Sequence, residues 1–510
     1  MGIIRRQSIY YTFISYIGLG IGAINTLLLL PHFLTHEQVG LVSVFTAISF
    51  PLAAIANLGG IFSINRFLPY YKKLLPPEKI DLPLIAVLAG LAGFIIVFSL
   101  VLNMENAIAK WFSHATLLLD YFYLIPFFTL GYMLCSIFQA LNNGYFYTVW
   151  VGTVTEVIFR LFNLALIVLL ALNVFDFDWY IHLYTLMFWL GLTLYWIYLK
   201  QRGNWYFFTK ISLLTKRIKG YMFQYSSFFW FTSVFSVLAT MIDTLVLAGV
   251  NGLEKSGSLM IATYFITVTQ IPQRSMVSVS IPVIAESWRN KDMTNLRQVY
   301  WKSANNMLWA GGFIYLCILL NINEILSFLP QGYYEIKWVV VILGLARLID
   351  YTTGVNQNIL ALSRKNWKFD FYTNILLVVL LIPLNFFLIS RFDIKGAAWA
   401  NVIGYFIYNT IRTLYLYKVT GLSPFNRQNF RLVLIVLSFL GIFTLYLSKT
   451  SVSQQALLIN LLFIAIKSTF FLFFYIFLIF LLKASEDLKD MISGIKPVKK
   501  ILAFFKLHDI

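Results

Sequence analysis

Acid is scarce in this chain. Its 510 residues carry 21 Asp and Glu against 39 Lys and Arg, and charged residues of both signs make up only 12%. With 60% hydrophobic residues, that shortage excludes an ordinary soluble enzyme. Cysteine is nearly absent. Cys135 and Cys317 both fall inside apolar runs, which leaves no disulfide framework and no thiolate metal site, so both read as packing residues. The five histidines (His32, His36, His114, His182 and His508) are scattered without metal-ligand spacing. No GxxxxGK[ST] loop occurs, which excludes ATP hydrolysis on a P-loop, and no GxSxG nucleophile elbow occurs.

What is present is a succession of apolar runs. Fourteen stretches are long enough to cross a ~30 Å hydrocarbon core as helices. They lie near 9–33, 39–65, 83–103, 117–142, 148–172, 180–199, 223–249, 259–284, 303–322, 338–362, 369–390, 396–417, 432–448 and 456–482. The net charge of +18 suggests nucleic acid until it is mapped onto the connections. Alternate numbering puts 28 Lys and Arg on one face, including both termini, and six on the other: Lys110, Lys255, Lys337, Arg391, Lys395 and Lys449. The positive-inside rule then makes both termini cytoplasmic and the charge a membrane-surface feature, with no nucleic-acid partner. The run after MGIIRRQS exceeds a signal-peptide core and leads straight into a second span, so it reads as a retained anchor. The longest connection on the sparsely charged face runs roughly from Met104 to Thr116, too short for a catalytic domain.

A weak internal repeat divides the chain. Val44–Pro51 (VFTAISFP) aligns with Phe265–Pro272 (FITVTQIP) at an offset of 221, and Thr193–Lys200 (TLYWIYLK) with Thr413–Lys418 (TLYLYK) at 220. Six spans per repeat is an even number, so the two copies share one orientation. The expected fold is therefore an all-α polytopic membrane protein with about 14 transmembrane helices. It divides into an N-lobe (1–199), a cytoplasmic linker (200–222), a C-lobe (223–417), two extra helices (418–482) and a basic tail (483–510). In the linker, Trp205, Tyr206, Phe207 and Phe208 beside six basic residues suggest a surface-lying segment. The tail, with Leu488, Met491, Ile492 and Ile495 at helical spacing, reads either as a second such segment or as a solvated extension.

Charges inside spans are costly and mark cavities or partners. Glu156 and Arg160 stand at i and i+4 in the fifth span, and Arg347 and Asp350 at i and i+3 in the tenth. Each set reads as a neutral packing pair or as part of a site. Asp243 lies in the seventh span, and Arg274 lies in the eighth with no acidic neighbour in its own helix. Lys467, in the fourteenth, reads as an interhelical partner or a snorkelling lysine, and Arg412, in the twelfth, as an arginine able to snorkel to the cytoplasm. Arg66, closing the second span, is either one more topogenic charge or a ligand-entry residue. Pro51, Pro126, Pro272, Pro282 and Pro383 mark bends within spans.

Three segments carry a family resemblance. ATYFITVTQIPQRSMVSVSIPVIAESWRNKDMTNL is similar to a proline-bearing eighth helix and its exit, and LSFLPQGYYEIKWVVVILGLARLIDYTTGVNQNIL to a tenth-helix region. ISRFDIKGAAWANVIGYFIYNTIRTLYLY is similar to a small-residue entry to helix twelve. The chain resembles, over about 5–482, the oligosaccharide-flippase (Wzx-like) branch of the multidrug/oligosaccharidyl-lipid/polysaccharide exporter superfamily. The resemblance implies two six-helix lobes in a parallel, MATE-like repeat plus two C-terminal helices, in a bacterial inner membrane. It implies a flippase of polyprenyl-diphosphate-linked oligosaccharide repeat units, the precursors of O-antigen, capsule or exopolysaccharide. Besides that substrate and membrane lipids, it admits polysaccharide polymerase machinery as a partner. Arg160, Arg274, Arg347 and Arg66 are then the substrate-binding candidates, and Glu156, Asp243 and Asp350 the ion-coupling ones for Na+ or H+, with no other cofactor. One departure bears on cargo: lipid II flippases of this superfamily typically carry charge in the first span, where this chain offers only Asn25 and Thr26. A lipid II flippase, a cation-coupled multidrug exporter and an O-antigen polymerase are the alternatives.

Overall fold

The computed structural model describes residues 2–205, 210–363, 365–453, 455–485 and 487–488, which form helices and connecting turns with no strand among them. Tyr206, Phe207 and Phe208 of the linker, and Met491, Ile492 and Ile495 of the tail, lie outside the described residues. The main helices are α1 (Gly2–Ala23), α2 (His36–Ala56), α3 (Gly60–Leu74), α4 (Leu82–Asn103), α5 (Leu124–Gly144), α6 (Phe159–Ala171), α7 (Met187–Gln201), α8 (Leu213–Asn251) and α9 (Leu253–Thr269). They continue with α10 (Ile271–Asn290), α11 (Met293–Leu320), α12 (Ile336–Thr352), α13 (Trp367–Phe392), α14 (Ile394–Thr420), α15 (Arg427–Lys449) and α16 (Leu457–Leu481). Large apolar side chains stand outward along them: Leu458, Phe470 and Phe473 of α16 are 72%, 74% and 69% exposed, surface that only lipid can cover. The protein is an all-α, multi-pass membrane protein.

Eleven helices among the described residues are long and apolar enough to span a membrane, against fourteen expected. The other three expected spans are helical but broken or polar. The eighth, 259–284, is two helices, α9 and α10, meeting at Gln270. The tenth, 338–362, ends at Thr352 and resumes as Asn356–Ala361 after Gly354, whose φ of +56° stops the helix. The twelfth, α14, runs unbroken but carries Asn401, Asn409 and Arg412.

Two compact units divide the chain, Met1–Met260 and Ile261–Ile510, so the long α8 packs with the helices that precede it. In the first unit, a capping box starts α2: the Gln38 amide N–H donates to Thr35 Oγ1 at 3.3 Å, and the Thr35 N–H to Gln38 Oε1 at 2.9 Å. A Cβ on Gly40 would overlap the Leu253 carbonyl, and one on Gly257 would lie 2.7 Å from the His36 carbonyl. Small residues let these two backbones cross in contact, the usual packing device where lipid removes any hydrophobic drive between helices. α2 stops at Asn57–Gly59, with Leu58 and Gly59 at positive φ, rather than at Pro51. Trp230 of α8 donates to the carbonyls of Ala54 (2.8 Å) and Ile55 (3.1 Å) in the last turn of α2, next to the break. Buried Asp81 accepts from the Ser212 backbone N–H (2.8 Å), its hydroxyl (3.0 Å) and the Thr215 hydroxyl (2.8 Å), pinning the start of α8.

In the second unit, α15 and α16 clasp α11. Phe313 of α11 stacks on Phe471 and meets Tyr475, and Phe439 of α15 packs edge-on against Phe471. Polar contacts set the register: Asn321 donates to Ser468 Oγ at 3.0 Å, and Lys467 pairs with Glu324 at 2.5 Å. Lys467 is thus an interhelical partner. Arg412 corrects the expectation of snorkelling. It is 0% exposed, bonded to Asp370 and, through Nε, to Thr373 Oγ1 at 2.9 Å, with its guanidinium 3.8 Å over the Tyr408 ring. Asp370, one turn into α13, neutralises it locally, and the way out to water is closed.

The Lys467–Glu324 pair generates a test. Lys467→Met strands a carboxylate in an apolar surrounding and should cost about 3 kcal/mol or more of stability, while adding Glu324→Leu should recover most of it. Thermal unfolding of the purified protein in detergent measures both; equal loss in the single and double variants would remove the pair from the packing.

Candidate functional site

Each unit holds one polar cluster at membrane depth. In the first, helical geometry changes where the polar residues fall. α1 passes into a π-helical turn, Ile24–Leu29, that contains Asn25 and Thr26, and a second π turn, Thr153–Ile158, contains Glu156 just before α6. Such turns loosen the local backbone hydrogen bonding and often accompany functional sites. Asn25 Nδ2 donates to the Arg160 carbonyl at 2.7 Å, tying the two segments together. A Cβ on Gly18 would overlap the Glu156 carbonyl, so α1 lies directly against the second π turn. Arg160 Nη2 reaches Glu156 at 2.7 Å, with both side chains about a quarter exposed (27% and 22%). Arg160 Nη1 and Asn25 Oδ1 are buried without a hydrogen-bond partner among the described residues. A donor and an acceptor are thus left open beside one ion pair.

The second unit's cluster sits where the expected spans are broken or polar. With the Gln270 amide turned so that its oxygen faces Arg347, it accepts from Nε at 3.0 Å and Nη2 at 3.2 Å. Arg347 also reaches the Tyr405 hydroxyl at 3.5 Å and lies 5.1 Å from the centroid of its ring. Asp350 takes separate donors, Gln273 Nε2 at 2.6 Å and Asn409 Nδ2 at 3.3 Å. Asn409 Oδ1 in turn accepts from Thr353 Oγ1 and Asn356 Nδ2, at 3.1 and 3.0 Å. Of the two readings open for Arg347 and Asp350, the structure shows no direct hydrogen bond between them but two separate networks. Arg347 donates its hydrogen bonds to neutral groups, while the Asp350 carboxylate accepts from two amides. Arg274, two turns before the Pro282 of α10, is exposed, yet near enough to Tyr351 to act on it electrostatically.

Two candidates remain. Arg66 is exposed on α3, 5.7 Å from the Tyr225 ring centroid, and Asp243 is half-buried on α8. The residues that sequence reading passed over are the neutral ones: Gln270, Gln273, Tyr405 and Asn409. Their signal was present in the polar interruptions of spans eight, ten and twelve, which attention to ionisable groups alone overlooks. Among the described residues no His, Cys, Asp or Glu group is arranged to hold a metal ion.

Comparison with solved structures places this arrangement of helices in one fold. A lipid II flippase, MurJ, in an inward closed conformation superposes with a TM-score of 0.67 at 18% identity, covering 92% of this chain and all of its own. An inward-facing multidrug resistance MATE transporter gives 0.53 at 12%, covering 80% of this chain and 96% of its own. A transporter from Pyrococcus furiosus, described by the reversed polarity of its binding pocket, gives 0.52 at 14%, covering 80% and 94%. The chain has the fold of the multidrug/oligosaccharidyl-lipid/polysaccharide superfamily of flippases and exporters. No family model and no curated protein matches it by sequence.

The geometry separates residues that hold the fold from those free to meet a ligand. Arg274→Ala should leave stability within about 0.5 kcal/mol, as an exposed side chain, whereas Asp350→Asn turns one of two acceptor oxygens into a donor facing Gln273 or Asn409 and should cost about 1–3 kcal/mol. Denaturation midpoints of the two variants check the contrast; a destabilising Arg274→Ala would make that arginine a packing residue.

Proposed function

We propose that this protein is a flippase for polyprenyl-diphosphate-linked oligosaccharide repeat units, moving them from the cytoplasmic to the outer leaflet of a bacterial inner membrane in which both termini are cytoplasmic. The observation that carries the reading is the state of the intramembrane arginines. Arg160 has a buried, unpartnered Nη1, Arg274 is exposed, and Arg347 rests on a glutamine and a tyrosine in place of a carboxylate. Guanidinium groups with donors to spare suit a diphosphate, which they bind by charge-assisted, often bidentate bonds. Arg66 serves as a further contact at the cytoplasmic end. The two lobes, 1–199 and 223–417, supply alternating access, with the linker 200–222 between them and 418–482 added outside. Glu156, Asp243 and Asp350 are the groups through which Na+ or H+ drives the cycle, since a carboxylate at this depth changes its cost of burial when it takes up a cation.

A second reading, a lipid II flippase, is favoured by the likeness to MurJ. That cargo also joins a polyprenyl diphosphate to sugars, so the same arginines serve either. The uncharged first span weighs towards the repeat-unit cargo.

Deleting the gene in its host and assigning lipid-linked intermediates to leaflets tests the reading. Complete repeat units retained on the cytoplasmic leaflet, with surface polymer lost, is the expected result; units that reach the outer leaflet unpolymerised would assign the protein to polymerisation. Arg274→Ala should abolish surface polymer at normal protein level, and Arg274→Lys should keep part of it. For coupling, Glu156→Gln and Asp243→Asn are expected to alter the pH or sodium dependence of transport in vesicles. An unchanged dependence in both would return these carboxylates to packing.

A further inference from the structure

A charged recess that shares no residue with the Arg347 and Asp350 networks lies where α11, α15 and α16 meet. It encloses about 500 Å³ and is lined by Lys302, Asn305, Arg427, Arg431, Lys483 and Asp487. Four cations face one carboxylate, and that carboxylate is committed: Asp487 pairs with Lys302 at 3.0 Å and accepts from Asn306 Nδ2 at 3.2 Å. Arg431 Nη1 donates to the carbonyls of Leu482 (2.9 Å) and Lys483 (3.3 Å), which fixes the guanidinium at the end of α16 and leaves its remaining donors for another acceptor. Arg427 begins α15, whose Asn426 cap accepts from the Asn429 N–H at 2.6 Å, so the positive end of the helix dipole adds to the same field. Asn305 is 5% exposed, and its Oδ1 has no partner among the described residues, while its Nδ2 donates to Gln428 at 3.3 Å. A buried acceptor without a donor, beside an excess of three positive charges, calls for a ligand that carries both an anion and a hydroxyl.

We propose that this recess binds the phosphate of an anionic glycerophospholipid, with Arg427, Arg431 and Lys483 around the phosphate and a headgroup hydroxyl donating to Asn305 Oδ1. The location favours a lipid source over a dissolved anion. The recess lies where three membrane helices end on the face richest in Lys and Arg, and Trp301, of a residue type concentrated at membrane interfaces, also lines it. Bound there, the phospholipid would hold α15 and α16 to α11 by filling a site that like charge would otherwise push apart. The assignment is independent of the transported cargo.

The full-length protein in detergent, titrated with phosphatidylglycerol, phosphatidylcholine or inorganic phosphate and followed by native mass spectrometry, tests it. Phosphatidylglycerol should bind in preference to phosphatidylcholine, more weakly as salt rises. The double variant Arg427→Gln/Lys483→Gln should bind it about 30-fold more weakly, as loss of two basic side chains near an anionic headgroup predicts. Both side chains are exposed, and an unfolding midpoint in phosphatidylcholine equal to that of the wild type verifies that the variant folds. Wild-type affinity in the folded variant, or equal binding of the two lipids, would overturn the proposal. If the variant does not fold, salt-insensitive binding of phosphatidylglycerol to the wild type would overturn it instead. Displacement of the lipid by millimolar inorganic phosphate would assign the recess to a soluble anion and overturn the lipid source.

Discussion

Inside a bilayer there is no water to satisfy a polar group, and the architecture of this protein follows from that constraint. At several places where a helix stops or a charge enters, a partner has been brought to it. Trp230 donates to two carbonyls in the last turn of α2. Lys337, 8% exposed, donates to the carbonyls of Leu447 and Thr450, both at 2.8 Å, and so closes the end of α15. Arg412 is neutralised by Asp370 and braced by Thr373, and Lys467 by Glu324. These contacts do not by themselves argue for high stability, because desolvating both partners offsets most of the attraction. They specify register: a one-turn slip of any of these helices would strand a charge.

Against that background of satisfied groups, the exceptions acquire meaning. Arg160 Nη1 and Asn25 Oδ1 are left open next to two π turns, and Arg347 donates its hydrogen bonds to neutral groups. The clusters coincide with departures from the regular α-helix: π turns in the first unit, a break at Gln270 and an interruption at Gly354 in the second. Departures of this kind expose backbone and side-chain donors at one depth without an added loop. In a fold shared with lipid II flippases and multidrug exporters, such places are the natural seats of ligand chemistry.

Charge acts at two depths. Within the helices Arg160 and Arg412 pair with Glu156 and Asp370, while Arg347 donates to Gln270 and Tyr405. At the ends of the expected spans, Lys and Arg fall mostly on alternate connections, a distribution that the positive-inside rule reads as sidedness. The recess of Lys302, Arg427, Arg431 and Lys483 is a place where helix ends bring several such charges together.

Apolar run length was enough to read the all-α membrane class and, among the described residues, eleven of the fourteen expected spans. Those properties are set residue by residue through transfer into lipid, which is local and additive. The Glu156–Arg160 pair was legible for the same reason, since i and i+4 are neighbours on any helix. Tertiary structure decided the rest. Arg347 and Asp350 are neighbours in sequence but choose Gln270, Tyr405, Gln273 and Asn409, partners that chain spacing does not reveal. Asp370 captures Arg412 across 42 positions, and Glu324 captures Lys467 across 143. A buried charge is satisfied by whatever packing brings within about 3 Å, and only the folded chain settles which residue that is.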